Sequence, residues 1–166
     1  ISDSRNIAPF GSISYNLFWE KTYGTLPYMF LNVAPGNEIY YYNPYAFNMM
    51  NKYEYIHDKD MGINFEHNIG NGLFRLIPLT RKLKFRQFWT AKAMWGTLSP
   101  ENKLLNFVGG YPFKSLDGGT YLEFGTGIDN IFKVLRFDFI WRVLPEQTPA
   151  YNTSKFGVFG SFHLTF

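Results

Sequence analysis

The sequence predicts an all-β fold: an antiparallel transmembrane β-barrel, of which the chain supplies a C-terminal portion of about seven strands. Three observations lead there. Segment after segment alternates apolar and polar residues with the two-residue period of a strand. Aromatic residues make up 20% of the 166 positions, yet the mean hydropathy is only -0.19, and no run approaches the roughly 18 apolar residues of a membrane helix. Hydrophobicity is therefore abundant but interleaved, which excludes helical spans and leaves closed barrels. Finally, the chain ends on a strand-like stretch, 155–166 (KFGVFGSFHLTF), whose last residue is an aromatic.

In that stretch Phe156, Val158, Gly160, Phe162, Leu164 and Phe166 share one face, opposite Gly157, Phe159, Ser161, His163 and Thr165. Roughly ten residues cross a bilayer when tilted, and an apolar face opposite a small or polar one suits lipid on one side and a wet interior on the other. The edge strand of a soluble sandwich alternates in the same way. The large aromatics separate the two, because they exceed what one small core packs without small partners, whereas a lipid-facing band accepts them.

Taken in order, 10–21 is a first strand, with Ile13, Tyr15, Leu17 and Trp19 opposite Ser12, Ser14, Asn16 and Glu20. Across 23–47, Pro27, Pro35, Pro44 and Gly36-Asn37 interrupt an aromatic run, so this is a structured connection carrying at most short strands. Tyr53 and Tyr55 alternate with Lys52, Glu54 and Asp58, and a polar turn at Lys59-Asp60 leads into 61–70, where Ile63 and Phe65 oppose Asn64, Glu66 and Asn68. Those two segments read as a hairpin. Pro78 and the surrounding basic residues make 70–84 a short amphipathic turn at a membrane surface or a solvated loop.

Alternation resumes over 85–97, with Trp89, Ala91, Ala93 and Trp95 facing away from Arg86, Thr90, Lys92 and Gly96. The Gly-, Pro-, Asn- and Ser-rich 98–119 reads as a loop. Leu122, Phe124, Thr126 and Ile128 then oppose Glu123, Gly125, Gly127 and Asp129, with a tight turn at Asp129-Asn130. In the next strand Leu135, Phe137, Phe139, Trp141 and Val143 oppose Arg136, Asp138 and Arg142, before a last loop at 145–154. Glu123, Asp129, Arg136, Asp138 and Arg142 are accordingly expected to face the lumen, the strand's own charges pairing with Glu123 or Asp129 next door. With Phe166 at the periplasmic side, 59–60, 98–119 and 145–154 lie outside, and 70–84 and 129–130 inside.

Other function classes find little support. With no cysteine there is neither a disulfide framework nor a thiolate metal site. The net charge of +3 is diffuse, and beyond 81–86 (RKLKFR) no basic block suggests nucleic acid. Ser161 and His163 share a strand face and, with Asp138, resemble the parts of a barrel hydrolase, but same-face residues two apart are common. His57, Asp58, Glu66 and His67 flank one expected turn, yet Glu66 and His67 point to opposite faces. Gly125-Thr126-Gly127 precedes no helix and is no nucleotide loop. The expectation is a protein that is not an enzyme and uses no cofactor or metal.

The stretches GNEIYYYNPYAFNMMNKYEYIHDKD, IPLTRKLKFRQFWTAKAMWGTLS and YLEFGTGIDNIFKVLRFDFIWRV, followed by KFGVFGSFHLTF, resemble an outer-membrane family of unknown function. In it a carboxypeptidase-like regulatory domain precedes a barrel related to the bacterial surface antigen superfamily, which includes BamA and TamA. The resemblance runs from about residue 24 onward. It implies the outer membrane of a two-membrane bacterium, a role in membrane assembly, translocation or anchoring, and outer-membrane lipid, the barrel assembly machinery and other outer-membrane or periplasmic proteins as partners. Phe162, Leu164 and Phe166 correspond to the family's assembly signal. The superfamily's inward Arg-Gly loop motif is absent, so a mechanism resting on that arginine does not carry over, and no regulatory domain is present. The chain, beginning at Ile1 without Met or signal peptide, is expected to be a mature or excised C-terminal piece, since about seven strands do not close a barrel. A passive channel or uptake receptor, and a soluble β-sandwich binding module, are the alternatives.

Overall fold

A computed structural model describes residues 1–72, 74, 78, 83–107, 113–146 and 154–162. Seven strands form one antiparallel sheet in the order β1 (Ser2–Asn6), β2 (Ser12–Lys21), β5 (Lys59–Gly70), β6 (Arg86–Thr97), β7 (Thr120–Ile131), β8 (Leu135–Leu144) and β9 (Phe156–Phe162). The order follows the chain except that a two-stranded ribbon, β3 (Asn32–Val33) with β4 (Ile56–His57), lies within the connection between β2 and β5. A helix, α1 (Pro100–Phe107), lies between β6 and β7. The fold is all-β as expected; the sheet is open, with β1 and β9 as its edges.

Pairing in register fixes which side chains share a face. One row runs Tyr15, Phe65, Ala91, Phe124, Trp141, Phe156, and the next runs Ile13, His67, Trp89, Thr126, Phe139, Val158. These and the flanking rows occupy the open face, where Trp19 is 62% exposed. The alternate residues point to the other face, which the long connections cover. Phe47, Met50 and Ile56 from 22–58 are completely buried against that face and against the neighbouring connection, packing with Met94, Tyr121 and Leu98. Each such side chain contributes about 1.5–3 kcal/mol on leaving water. Tyr42 makes a smaller cluster with Ile140 and Phe159.

Several expectations need correction. Residues 49–58 form no continuous strand: only Ile56–His57 is extended, as β4, while Met50, Tyr55 and Ile56 are core residues of the cover, and Tyr53 adopts φ 58°, a left-handed conformation that breaks an extended run. Lys59-Asp60 is no turn either, because both residues sit inside β5, paired with Lys21 and Glu20. The connection into β5 is instead the whole of 22–58. The strand missed by its lack of alternation is β1, whose polar residues pair with β2 through the backbone. β7 continues past Asp129-Asn130 to Ile131, and the chain reverses at 132–134, with Phe132 and Lys133 at φ 50° and 71°. The 98–119 segment contains α1. The chain leaves the sheet after Lys21, Thr97 and Leu144 at one end, and after Asn6, Gly70 and Ile131 at the other.

Candidate functional site

The covered face of the sheet is charged, and the cover is tied to it by side chains from three adjacent strands. Lys92, Glu123 and Arg142 stand in one row across β6, β7 and β8, and all three are buried. Lys92 Nζ donates to the carbonyls of Asn43 (2.8 Å) and Ala46 (2.6 Å). The Glu123 carboxylate accepts from the Asn48 N–H (2.9 Å), the Met49 N–H (2.6 Å) and the Tyr121 hydroxyl (2.7 Å). Arg142 reaches Glu54 (3.0 Å) and the Tyr55 hydroxyl (2.9 Å). A cation meets loop carbonyls, an anion meets loop N–H groups, and a guanidinium meets a loop carboxylate; each is a charge-assisted bond out of water.

A second cluster lies one turn of the pleat away. Arg136 is bidentate to Asp138 (2.8 and 3.0 Å) and also binds Glu66 at 2.8 Å, while its guanidinium lies 3.7 Å from the Phe88 ring and 4.6 Å from that of Tyr42. Asp129 is fully buried and pairs with Arg86 at 3.0 Å. Nearby, the buried Asn64 amide has no protein partner and lines a polar cleft of about 440 Å³ beneath Tyr42 and Tyr45.

The two connections also lock to each other. Backbone bonds join Ile56 N–H to the Lys114 carbonyl and Lys114 N–H to that of Glu54. Asn102 and Asn106, one turn apart on α1, hold Leu26 through its N–H (2.8 Å) and carbonyl (3.0 Å). The His57 ring is sealed at this junction, where its Nε2 accepts from the Leu116 N–H at 3.2 Å. A Cβ on Gly96 would lie 2.6 Å from the ring, so only glycine fits beneath it. Burial lowers the His57 pKa to about 4 from its ordinary 6.5, despite Asp117 and Asp58. The neutral ring is thus the folded form, and its contribution is complete above about pH 6.5. Acidification removes stability progressively down to about pH 4, on the order of 3 kcal/mol in all. The protection of the Leu116 amide against hydrogen exchange, taken relative to the intrinsic rate at each pH, is expected to fall between pH 7 and pH 5, and His57→Gln to flatten that dependence.

Glu123, Asp129, Arg136, Asp138 and Arg142 are thus placed together on the covered face. Their expected pairing is corrected: although Glu123 and Arg142 are register neighbours, Glu123 is taken up by N–H groups of the cover and Arg142 turns to Glu54 of the cover, while Arg136 binds Asp138 on its own strand and Glu66 on β5. Both Asp138 oxygens are occupied by Arg136. Ser161 lies on the covered side of β9; His163 falls outside the described residues. His57 and His67 are apart, the latter bonded to the Phe10 carbonyl, and the described residues hold no group of three or more His, Cys, Asp or Glu suited to a metal. Phe162 ends β9 and is 70% exposed; Leu164 and Phe166 fall outside the described residues. Sequence reasoning missed the tying roles of Lys92, Glu54 and Glu66. Only Lys92 left a signal, as a lone cation within the Trp-Ala alternation of β6.

Comparison with family models, with curated proteins and with solved structures finds no match for the chain.

Proposed function

We propose that the chain is the C-terminal portion of an outer-membrane β-barrel, with the charged face toward the lumen and the aromatic face toward lipid. Its role is membrane-embedded anchoring, assembly or translocation rather than catalysis. One observation carries the reading: the sheet is inverted relative to a soluble sandwich. Lys92, Glu123, Asp129, Arg136, Asp138 and Arg142 are buried, while Trp19, Phe124, Phe137, Trp141, Val158 and Phe162 are exposed. A soluble domain that buried six charges and presented its aromatics to water would forfeit the burial that stabilises it. A barrel wall gains on both faces. The resemblance to the surface-antigen-related family supports the same location. The cover packed on the inner face speaks against the passive channel.

The reading predicts an assembly phenotype. An exposed final strand pairs by its backbone with an assembly machine, while alternate side chains set register. Replacing Phe162 and Phe166 together by Ser is expected to lower the heat-modifiable, membrane-inserted protein severalfold, whereas Ser161→Ala and His163→Ala leave it unchanged. Normal insertion without the aromatics removes the assembly-signal role. Stable stepwise conductance in planar bilayers would turn the function to a channel.

A further inference from the structure

The open face carries one feature that neither lipid contact in general nor strand pairing explains. Lys21 and Lys59 stand directly opposite each other in the β2–β5 register, both exposed and both in phase with the outward Trp19 and Met61. Like charges placed directly opposite across a strand pair destabilise it. Neither lysine forms an ion pair among the described residues. The nearest acidic pair, Glu20 and Asp60, is also matched in register but lies on the other face. Each ammonium rests on an aromatic ring instead: Lys21 Nζ is 4.4 Å from the Tyr23 ring centre and Lys59 Nζ 5.5 Å from that of Trp95.

The surroundings sort by polarity along the strand axis. Toward the connections, a cleft of about 390 Å³ is lined by the two lysines with Thr22, Thr97 and Ser99. Asp58 also borders it, but its carboxylate is engaged by the Ser99 N–H (2.8 Å) and Asn102 (3.1 Å). Toward the middle of the sheet, an apolar groove of about 430 Å³ is walled by Trp19, Met61, Ile63 and Trp95, with the small Ala93 among its lining residues. Cation pair, aromatic girdle and hydrocarbon groove follow one another in the order in which a phospholipid presents phosphate, interface and acyl chain.

We propose that this end of β2 and β5 docks an anionic phospholipid, its phosphate held between Lys21 and Lys59 and its acyl chain laid in the groove between Trp19 and Trp95. The assignment rests on the outer-membrane reading. A phosphate between the lysines converts a repulsive pair into two attractive ones, and the aromatic rings hold both ammonium groups at interface height. A zwitterionic lipid, whose own choline neutralises its phosphate, gains less.

The test uses the full chain with Trp89→Phe and Trp141→Phe, which leaves Trp19 and Trp95 as reporters. It is folded into phosphatidylcholine vesicles containing a minor fraction of brominated phosphatidylglycerol or, in parallel, of brominated phosphatidylcholine. Cations near an anionic lipid surface concentrate it roughly fivefold per lysine, so quenching is expected to be severalfold stronger with the brominated anionic lipid and to weaken at high salt. Lys21→Gln with Lys59→Gln should bring the two quenchers level, Lys21→Arg with Lys59→Arg should keep the preference, and Lys133→Gln at the opposite end should not alter it. Heat-modifiable migration verifies that each variant inserts. Equal quenching by both lipids in the inserted protein overturns the proposal, as does a preference that survives the double Gln change. Failure to insert into any vesicle removes the outer-membrane reading itself, a result distinct from insertion without lipid preference.

Discussion

Arginine in place of Phe139 is expected to cost about 2–4 kcal/mol of folding stability in a bilayer. Phe139 lies mid-strand on the open face, paired in register with Thr126 and Val158 and stacked on Phe156 with ring centres 6.5 Å apart. With the open face toward lipid, as proposed, a guanidinium there would meet hydrocarbon on every side except along the sheet. The same change at Val143, near the end of β8, reaches the interface and should cost about 0–1 kcal/mol. Urea titration of the folded chain in phospholipid vesicles measures both. Equal small losses at the two positions would mean that the aromatic face meets water.

Loss of the Glu123 carboxylate is expected to cost about 3–5 kcal/mol, because it strips the partner from buried groups without removing them. Glu123→Leu leaves the Asn48 and Met49 N–H groups and the Tyr121 hydroxyl without their acceptor, and it leaves Lys92 facing an apolar neighbour in register. The 43–50 segment should lift from the sheet, so chymotrypsin is expected to cut sooner at Tyr45. Adding Lys92→Met removes the uncompensated cation, and the double variant should recover part of the loss, a coupling that a double-mutant cycle reads directly. Additive losses would mean that the two residues tie the cover independently.

The strands legible in the sequence are those whose two faces meet different surroundings. β6, β7 and β8 alternate because one face packs under the cover and the other does not, and their bounds fell within a few residues of the expectation. β1 has no such contrast: Ser2, Asp3, Ser4, Arg5 and Asn6 lie at the edge and are held by backbone bonds that composition does not encode. The 49–58 segment misled for the opposite reason. Tyr53 and Tyr55 alternate, but burial of Met50, Tyr55 and Ile56 against the sheet and the neighbouring connection decides their conformation, a tertiary effect that overrides local pattern. That Glu123, Arg136, Asp138 and Arg142 share one face of the sheet was readable, because sharing a face is a matter of parity. Their partners were not, since Glu54 and Glu66 lie 88 and 70 residues away from the arginines they bind, and only the path of the cover brings Glu54 to Arg142.

The absence of cysteine from the chain makes one measurement especially clean. Single cysteines placed in turn from Leu135 to Leu144 and spin-labelled in phospholipid vesicles report, residue by residue, whether a side chain meets lipid or water. The inverted sheet predicts that accessibility to oxygen, which partitions into hydrocarbon, peaks at 137, 139 and 141, and that a water-soluble nickel chelate reaches none of these positions. The labels at 136, 138, 140 and 142 should be shielded from both by the cover. High access of the nickel chelate at 137, 139 and 141, or oxygen access with no two-residue period, would contradict a lipid-facing aromatic wall.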